Sequence, residues 1–324
     1  MDVFPSTTYT ELLVGYLTVS FPIFRVLRSA TRSFIAARDR THVVSSPRGI
    51  IRPPRRPPGW EAPGPAPAGS QGRPELEPMA DEDLCFLAGD WRLFQKQRGH
   101  RWSLDDLVTA WVATRSLDLA SPLRALDLGC GLGSVLLMVA WRLPNADVTG
   151  IEAQPDRAAM GRRSIAYNGV EGRCRIVDGD LRDDRITGSF ELVTGTPPYF
   201  PIGTGTESEK THAAPARFEH RGGVEDYLAI AARRVTPTGT IAICTSALER
   251  DRVANGARSA ALAHREAWAI VPRAGKPPLV YVDVLAASGT LEHHELVVRD
   301  REGTWTADFQ RVRTDLGMPS TAPR

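Results

Sequence analysis

Residues 127–133 read Asp127-Leu128-Gly129-Cys130-Gly131-Leu132-Gly133. They close a short apolar run, Ala125 to Leu128, and open a second one, Val135 to Trp141. That order predicts a buried strand, a glycine turn and a helix. Glycines at such a turn let the backbone bend sharply and approach a ligand that a Cβ would exclude. A dinucleotide site takes G-x-G-x-x-G, which rests a pyrophosphate on the helix N-terminus. Here the third glycine comes one residue early and Ser134 stands in the expected place. Asp127 lies two residues before the first glycine, where its carboxylate would repel a pyrophosphate. It can instead accept hydrogen bonds from a cationic, amine-bearing ligand. NAD is the alternative cofactor class at this element.

Outward from the turn, strands and helices alternate. Asp147 to Ile151 reads as the next strand, and Pro155 to Tyr167 as a helix stopped by Asn168-Gly169. Cys174 to Val177, Glu191 to Val193 and Thr240 to Cys244 follow as strands, with a helix from about Val224 to Val235. Ala269 to Val271, Leu279 to Leu285 and Glu295 to Val298 complete the strand set. Upstream, Leu104, Leu107, Val108, Trp111 and Val112 form a helical stripe, with Ser103 and Asp106 in capping-box positions. Repeated β-α-β units imply an α/β fold, a mostly parallel sheet covered by helices on both faces. Ligands on such sheets bind at the carboxyl ends of the strands. Glu152 ends the second strand, where an acid can bind ribose hydroxyls, and Asp180 follows the third, suited to accept from an adenine amino group.

Asp127, Gly129, Gly131, Gly133, Glu152 and Asp180 together resemble the S-adenosylmethionine site of class I methyltransferases. A second motif, Thr196-Pro197-Pro198-Tyr199, follows the fourth strand. It resembles the [Asn/Asp/Ser]-Pro-Pro-[Tyr/Phe/Trp] motif of methyltransferases that act on planar amino groups. There, a side-chain oxygen and a proline carbonyl accept both hydrogens of an exocyclic NH₂ and draw its lone pair out of conjugation. The prolines fix that carbonyl and the aromatic ring stacks on the base. Thr196 replaces the usual Asn, and a hydroxyl can accept one hydrogen bond.

Phe94 to Asp105, FQKQRGHRWSLD, is similar to the Q-x-x-x-G-[YH]-R-[FW]-S-x-D segment of bacterial tRNA adenine-N6 methyltransferases that modify a valine tRNA. Ala216 to Glu219 and Pro272 to Pro277 also look like that family's downstream segments. The resemblance implies a Rossmann-like, seven-stranded class I fold, S-adenosyl-L-methionine as cofactor, and tRNA as the RNA partner. It implies catalytic roles for Thr196, Pro197, Pro198 and Tyr199, and it does not reach residues 1–78. Two rivals stay open. One is a methyltransferase for another amino group, such as a protein glutamine, another base or a small molecule. The other is a non-catalytic cofactor-binding module for RNA or a protein partner.

Composition narrows the classes further. Four cysteines, Cys85, Cys130, Cys174 and Cys244, stand far apart without a C-x-x-C, which fits a reducing cytoplasm and argues against a zinc ribbon or a disulfide scaffold. Cys130 reads as a small filler, and His293-His294, without partners at metal spacing, as a solvated turn. No apolar run is long enough to span a membrane. Residues 1–78 carry a net +4 and the remainder a net −2, so a polyanion must meet a local patch. Ten of the 25 prolines fall in residues 47–78, which read as a linker or disordered extension outside a domain spanning 79–324. Met79-Ala80-Asp81-Glu82-Asp83 would serve as a start, leaving residues 1–78 a dispensable tail; the Arg- and Ser-containing stretch Arg25 to Arg40 gives a targeting role as a second reading. His100 and Arg101 are read as pocket, RNA-contact or capping groups, and the loop Gly203 to Arg221 as a lid or RNA-contact loop.

Overall fold

The computed structural model describes residues 45–46, 49–99, 101–183, 185–199 and 222–320. Eight strands form the main sheet: β5 (Leu123–Leu128), β6 (Ala146–Glu152), β7 (Cys174–Asp178), β8 (Phe190–Gly195), β9 (Val235–Ser246), β10 (Ala263–Val271), β11 (Val280–Ala286) and β12 (Glu292–Val297). Their order is β12-β10-β11-β9-β8-β5-β6-β7. β7, β6, β5, β8 and β9 pair in parallel, whereas β11 runs antiparallel to both β9 and β10. The parallel α/β architecture expected from the alternation is therefore present, with one strand more than seven.

The extra strand is β12, which pairs in parallel with β10 and includes His293 and His294. The reading of these histidines as a solvated turn is corrected. His294 stacks on Trp268 with ring centroids 4.3 Å apart, and Leu296 two residues on is buried. The period-2 pattern that makes a strand is carried by a histidine in one inward position.

Helices α1 (Leu104–Thr114), α2 (Ser134–Arg142), α3 (Pro155–Asn168), α4 (Val224–Arg234), α5 (Arg250–Ser259) and α6 (Ala307–Asp315) surround the sheet. Val135 to Ala140 of α2 are all buried, which explains an apolar run without a polar face. α4 buries the stripe Val224, Tyr227, Leu228 and Ala231 together with β8, β9 and Val253 of α5. Gly169 ends α3 in the left-handed conformation, φ +73°, as Asn168-Gly169 predicts.

A second, small sheet has the order β1 (Ser45–Ser46), β2 (Gly49–Ile51), β3 (Glu82–Phe86) and β4 (Arg92–Lys96). Its centre is polar. Asp83 is fully buried and accepts from Arg52 Nη2 at 2.6 Å, Arg101 Nη1 at 2.8 Å and Gln95 Nε2 at 3.0 Å. Arg101 is thus an internal ion-pair partner, and His100 lies outside the described residues.

The disordered-extension reading of residues 47–78 and the domain boundary at 79 are corrected for residues 49–78. β2 pairs in parallel with β3. Beyond it the chain runs extended across the domain, where Gly69 N–H donates to Tyr167 O at 2.9 Å and Gly64 lies against the Trp141 ring. Leu76 is buried, and Arg163 donates to the Glu75 and Glu77 carbonyls at 2.7 and 2.8 Å. Proline removes a donor but keeps its carbonyl and its apolar ring, so a proline-rich chain can be bound as a strap although it cannot build a core of its own. Leu76→Ala should therefore lower the free energy of unfolding by about 2–4 kcal/mol in urea titration, as for any buried leucine, whereas a free tail would show no change.

Candidate functional site

The sheet reverses its winding between β5 and β8. Leu128 pairs with Gly195 and Asp127 with Thr194, so the glycine turn after β5 and the Thr196 motif after β8 leave adjacent strands at the same end. Neighbouring strands lie about 4.8 Å apart, which brings the two motifs to one crevice.

Gly129, Gly131 and Gly133 have φ of +59°, +55° and +79°, all left-handed. Each has a different surrounding. A Cβ on Gly129 would lie 2.1 Å from the Tyr227 hydroxyl, whereas one on Gly131 would meet nothing within 4 Å. Gly133 is the N-cap of α2. The turn is held down on β6, since Cys130 N–H donates to Ile151 O and Gly131 N–H to Glu152 Oε2, both at 2.9 Å. Cys130 itself is buried, with its Sγ in the space a side chain on Gly150 would need, and burial pushes its thiol well up. Its place is that of a filler.

Asp127 is buried, and Thr194 Oγ1 donates to its Oδ1 at 2.8 Å. Its Oδ2 is also buried and has no hydrogen-bond partner among the described residues. Burial lifts the carboxyl to about 7, against the bond from Thr194. Glu152 is buried and accepts from two backbone N–H groups, Gly131 on Oε2 and Gln154 on Oε1, the latter at 2.7 Å. A carboxylate has about four acceptor positions, so lone pairs remain on both oxygens. Asp180 is half-buried and forms a two-point ion pair with Arg182, 2.8 Å from Nε and 2.7 Å from Nη2.

These three acids surround a residue that the sequence analysis does not single out. Tyr227, in the first turn of α4, is buried, and burial followed by the charges of Glu152 and Asp127 drives its phenol far up. Its ring lies where side chains on Gly129 and Gly195 would otherwise stand. No helical periodicity distinguishes a tyrosine that packs against two strand-end glycines from one that faces a core.

The second motif is anchored from α1. Pro197 is buried; Thr196, Pro198 and Tyr199 are half-buried. The Thr196 hydroxyl makes no hydrogen bond among the described residues, whereas Tyr199 Oη donates to Asp105 Oδ2 at 2.7 Å and lies 3.5 Å from Cys244 Sγ. Asp106 accepts from Ser103 N–H on Oδ2 and from Ser134 Oγ on Oδ1, both at 2.8 Å. Ser103 and Asp106 so form half of the expected capping box, the Ser103 hydroxyl turning to Asp105 instead. Burial and the adjacent Asp105 raise the Asp106 carboxyl. Two consecutive carboxylates thus hold the two motifs, one through Ser134 and one through Tyr199. The loop Gly203 to Arg221, with Lys210 and Ala216 to Glu219, lies outside the described residues.

Residues 125–217 match the family model of a methyltransferase domain. The chain is 30% identical over 152 residues to the tRNA1(Val) (adenine(37)-N6)-methyltransferase of Porphyromonas gingivalis, covering 45% of this chain and 57% of that protein. It is 35% identical over 94 residues to the release factor glutamine methyltransferase of Chlorobaculum tepidum, covering 28% and 32% of the two chains. Among solved structures, a predicted O-methyltransferase from Agrobacterium tumefaciens superposes with a TM-score of 0.51 at 19% identity, over 66% of this chain and 98% of that one. The chain spans about half the length of the first tRNA1(Val) relatives it matches. Its fold is the Rossmann-like fold of class I methyltransferases, and the chain resembles the tRNA1(Val) adenine-N6 members of that class.

Gly129→Ala should destabilise the protein by roughly 2 kcal/mol or more, from the left-handed backbone and the clash with Tyr227. In a Tyr227→Phe background the penalty should shrink by about 1 kcal/mol, since the overlapping oxygen is gone. Urea denaturation of the four proteins checks this; equal penalties in both backgrounds would refute the contact.

Proposed function

We propose that this chain is an S-adenosylmethionine-dependent N-methyltransferase whose acceptor is the N6 amino group of adenine in tRNA. The observation that carries the reading is the in-register pairing of β5 with β8, which sets the Thr196-Pro197-Pro198-Tyr199 turn beside the glycine turn and Asp127. The resemblance to the tRNA1(Val) relatives supports the choice of acceptor.

The residues fit the cofactor. A buried carboxylate oxygen on Asp127 without a partner suits a ligand ammonium, and the open side of Gly131 leaves floor space that a Cβ would fill. Glu152 retains acceptor positions for ribose hydroxyls. Asp180 would share its carboxylate between Arg182 and an adenine amino group. When bound, the cofactor supplies a methyl group on a sulfonium, already a good leaving group.

What remains for the protein is placement. Thr196 Oγ and the Pro197 carbonyl accept the two amine hydrogens and turn the nitrogen lone pair toward the methyl. Pro197 and Pro198 keep that carbonyl from rotating away. Tyr199 stacks on the base, and its bond to Asp105 fixes the ring's rotation. The amine nitrogen held by Thr196 and Pro197 would take the methyl group that the bound cofactor supplies and would give its proton to water. Holding the amine in one orientation lowers the entropic part of the barrier. A protein glutamine is the second reading. Its side-chain amide is a planar NH₂ of the same geometry, and the similarity to a release factor glutamine methyltransferase favours it over other acceptors.

Transfer of labelled methyl from S-adenosylmethionine to total tRNA, followed by nucleoside analysis, tests the reaction; label in N6-methyladenosine is expected, and label in glutamine of a protein acceptor would replace adenine as the substrate. In the same assay Thr196→Asn should keep or raise turnover. Thr196→Ala should lose about tenfold, the worth of one hydrogen bond made at the transition state, with cofactor affinity unchanged.

A pH dependence also follows. The Asp127 carboxyl, at about 7 in the folded chain, lies above its unfolded value near 3.9, so the native state holds more protons between them. The stability that this group contributes to the ligand-free protein is present at low pH and falls as pH rises through that window. Binding of an ammonium-bearing ligand needs the ionised form, so S-adenosylhomocysteine affinity should rise several-fold from about pH 6 to 7.5. Asp127→Asn should bind weakly and show a flat profile in calorimetry.

A further inference from the structure

The turn joining β10 to β11, and the segment between β12 and α6, adjoin each other, with Ala274 N–H donating to Arg299 O at 2.8 Å. β10 and β12 run in the same direction as β8, so these turns lie at the end of the sheet that carries Thr196. From β8 the sheet reaches β10 by three strand spacings and β12 by four, about 15–20 Å.

Five cations gather there. Arg273, Lys276 and Arg301 are exposed and make no ion pair among the described residues. The Arg273 guanidinium lies beside Gly303, in the turn that carries Arg301. Arg299 and Arg313 stand over the Trp305 ring, 5.6 and 4.0 Å from its centroid. Their polar contacts are uncharged: Arg299 donates to Gly303 O, and Arg313 Nε to Pro319 O at 2.8 Å. Burial and the charge of Arg299 bring Arg313 down to about 10. Against these five stand Asp300, whose Oδ1 is engaged by Thr304 N–H at 2.8 Å, and the exposed Glu302. Five cations against two carboxylates leave the corner with a net positive charge, which an anion from outside relieves.

We infer that this corner binds the phosphate backbone of the RNA whose adenine enters the Thr196 crevice, a few nucleotides from the target base. The inference rests on the proposed function and adds the path of the polynucleotide. Guanidinium forks match phosphate oxygens two at a time, and residues 79–324 carry a net −2, so a polyanion requires a local patch of this kind. Acidic protein is the other polyanion, but it offers carboxylates at irregular spacing in place of a regular line of phosphates.

The test is the triple variant Arg273→Glu/Lys276→Glu/Arg301→Glu in the full chain, with labelled total tRNA as probe. Filter retention between about 50 and 200 mM salt gives affinity and its salt slope, and calorimetry with S-adenosylhomocysteine checks that the crevice is intact. Binding of tRNA should fall tenfold or more and the log–log slope by roughly 2–3, with S-adenosylhomocysteine affinity unchanged. Wild-type affinity and slope in the variant would overturn the surface while leaving the proposed reaction standing. A wild-type chain that binds S-adenosylhomocysteine but no tRNA would overturn the surface and the RNA acceptor together. Equal losses for tRNA and polyglutamate would overturn phosphate as the anion recognised.

Discussion

Asp106 joins the starts of two helices. One of its oxygens caps α1 through Ser103, and the other receives the hydroxyl of Ser134, the first residue of α2. The glycine turn that opens α2 therefore has its exit fixed by the helix packed beside it. Asp105, one residue earlier, does the same for the other half of the crevice through Tyr199. Burying the Asp106 carboxyl beside the half-buried Asp105 costs free energy through desolvation and mutual repulsion. Four hydrogen bonds, one of them the helix cap, offset that cost, and the result is that two motifs from different strands share one rigid support.

What the amino-acid sequence showed best was local punctuation. The glycine turn, the Pro155 start and Gly169 end of α3, and the Thr196-Pro197-Pro198 turn each depend on backbone chemistry that a few residues settle alone. Asp127 and Glu152 could be placed at the ends of adjacent parallel strands because each closes a short apolar run, and they lie there in β5 and β6. Harder to read were the pieces whose partners are distant. β3 carries Glu82 and Asp83 among its buried residues, and a strand with two carboxylates inside does not alternate. The partners that satisfy them, Arg163 of α3 and Arg52 just after β2, are 81 and 31 residues away. Tyr227 shows the same limit from the other side: its ring fits because two residues in other elements are glycine, and no one segment shows this.

The small sheet differs from the large one in what holds it. The main sheet has an apolar core on each face, whereas β2, β3 and β4 meet around Asp83 with two arginines and a glutamine. A buried charge cluster of this kind favours one register strongly, because each alternative leaves an ion without a partner. It adds less to net stability than the same volume of leucine would. The polar sheet is thus a device for uniqueness, placed where Arg101 leads directly into Trp102, Ser103 and the first turn of α1.

The proline-rich strap also has a temporal consequence. Residues 49–78 leave the ribosome before every element they contact: β3, Trp141 of α2 and the length of α3 all follow. The strap cannot find its place until about a hundred more residues are made and folded, and closing that long loop costs entropy that short-range contacts avoid. It therefore docks only after α3 has been made, while β8 to β12 are still to be added. Until it docks, Arg163 and the Tyr167 carbonyl lack the backbone partners that the strap supplies, so α3 is completed by residues made long before it.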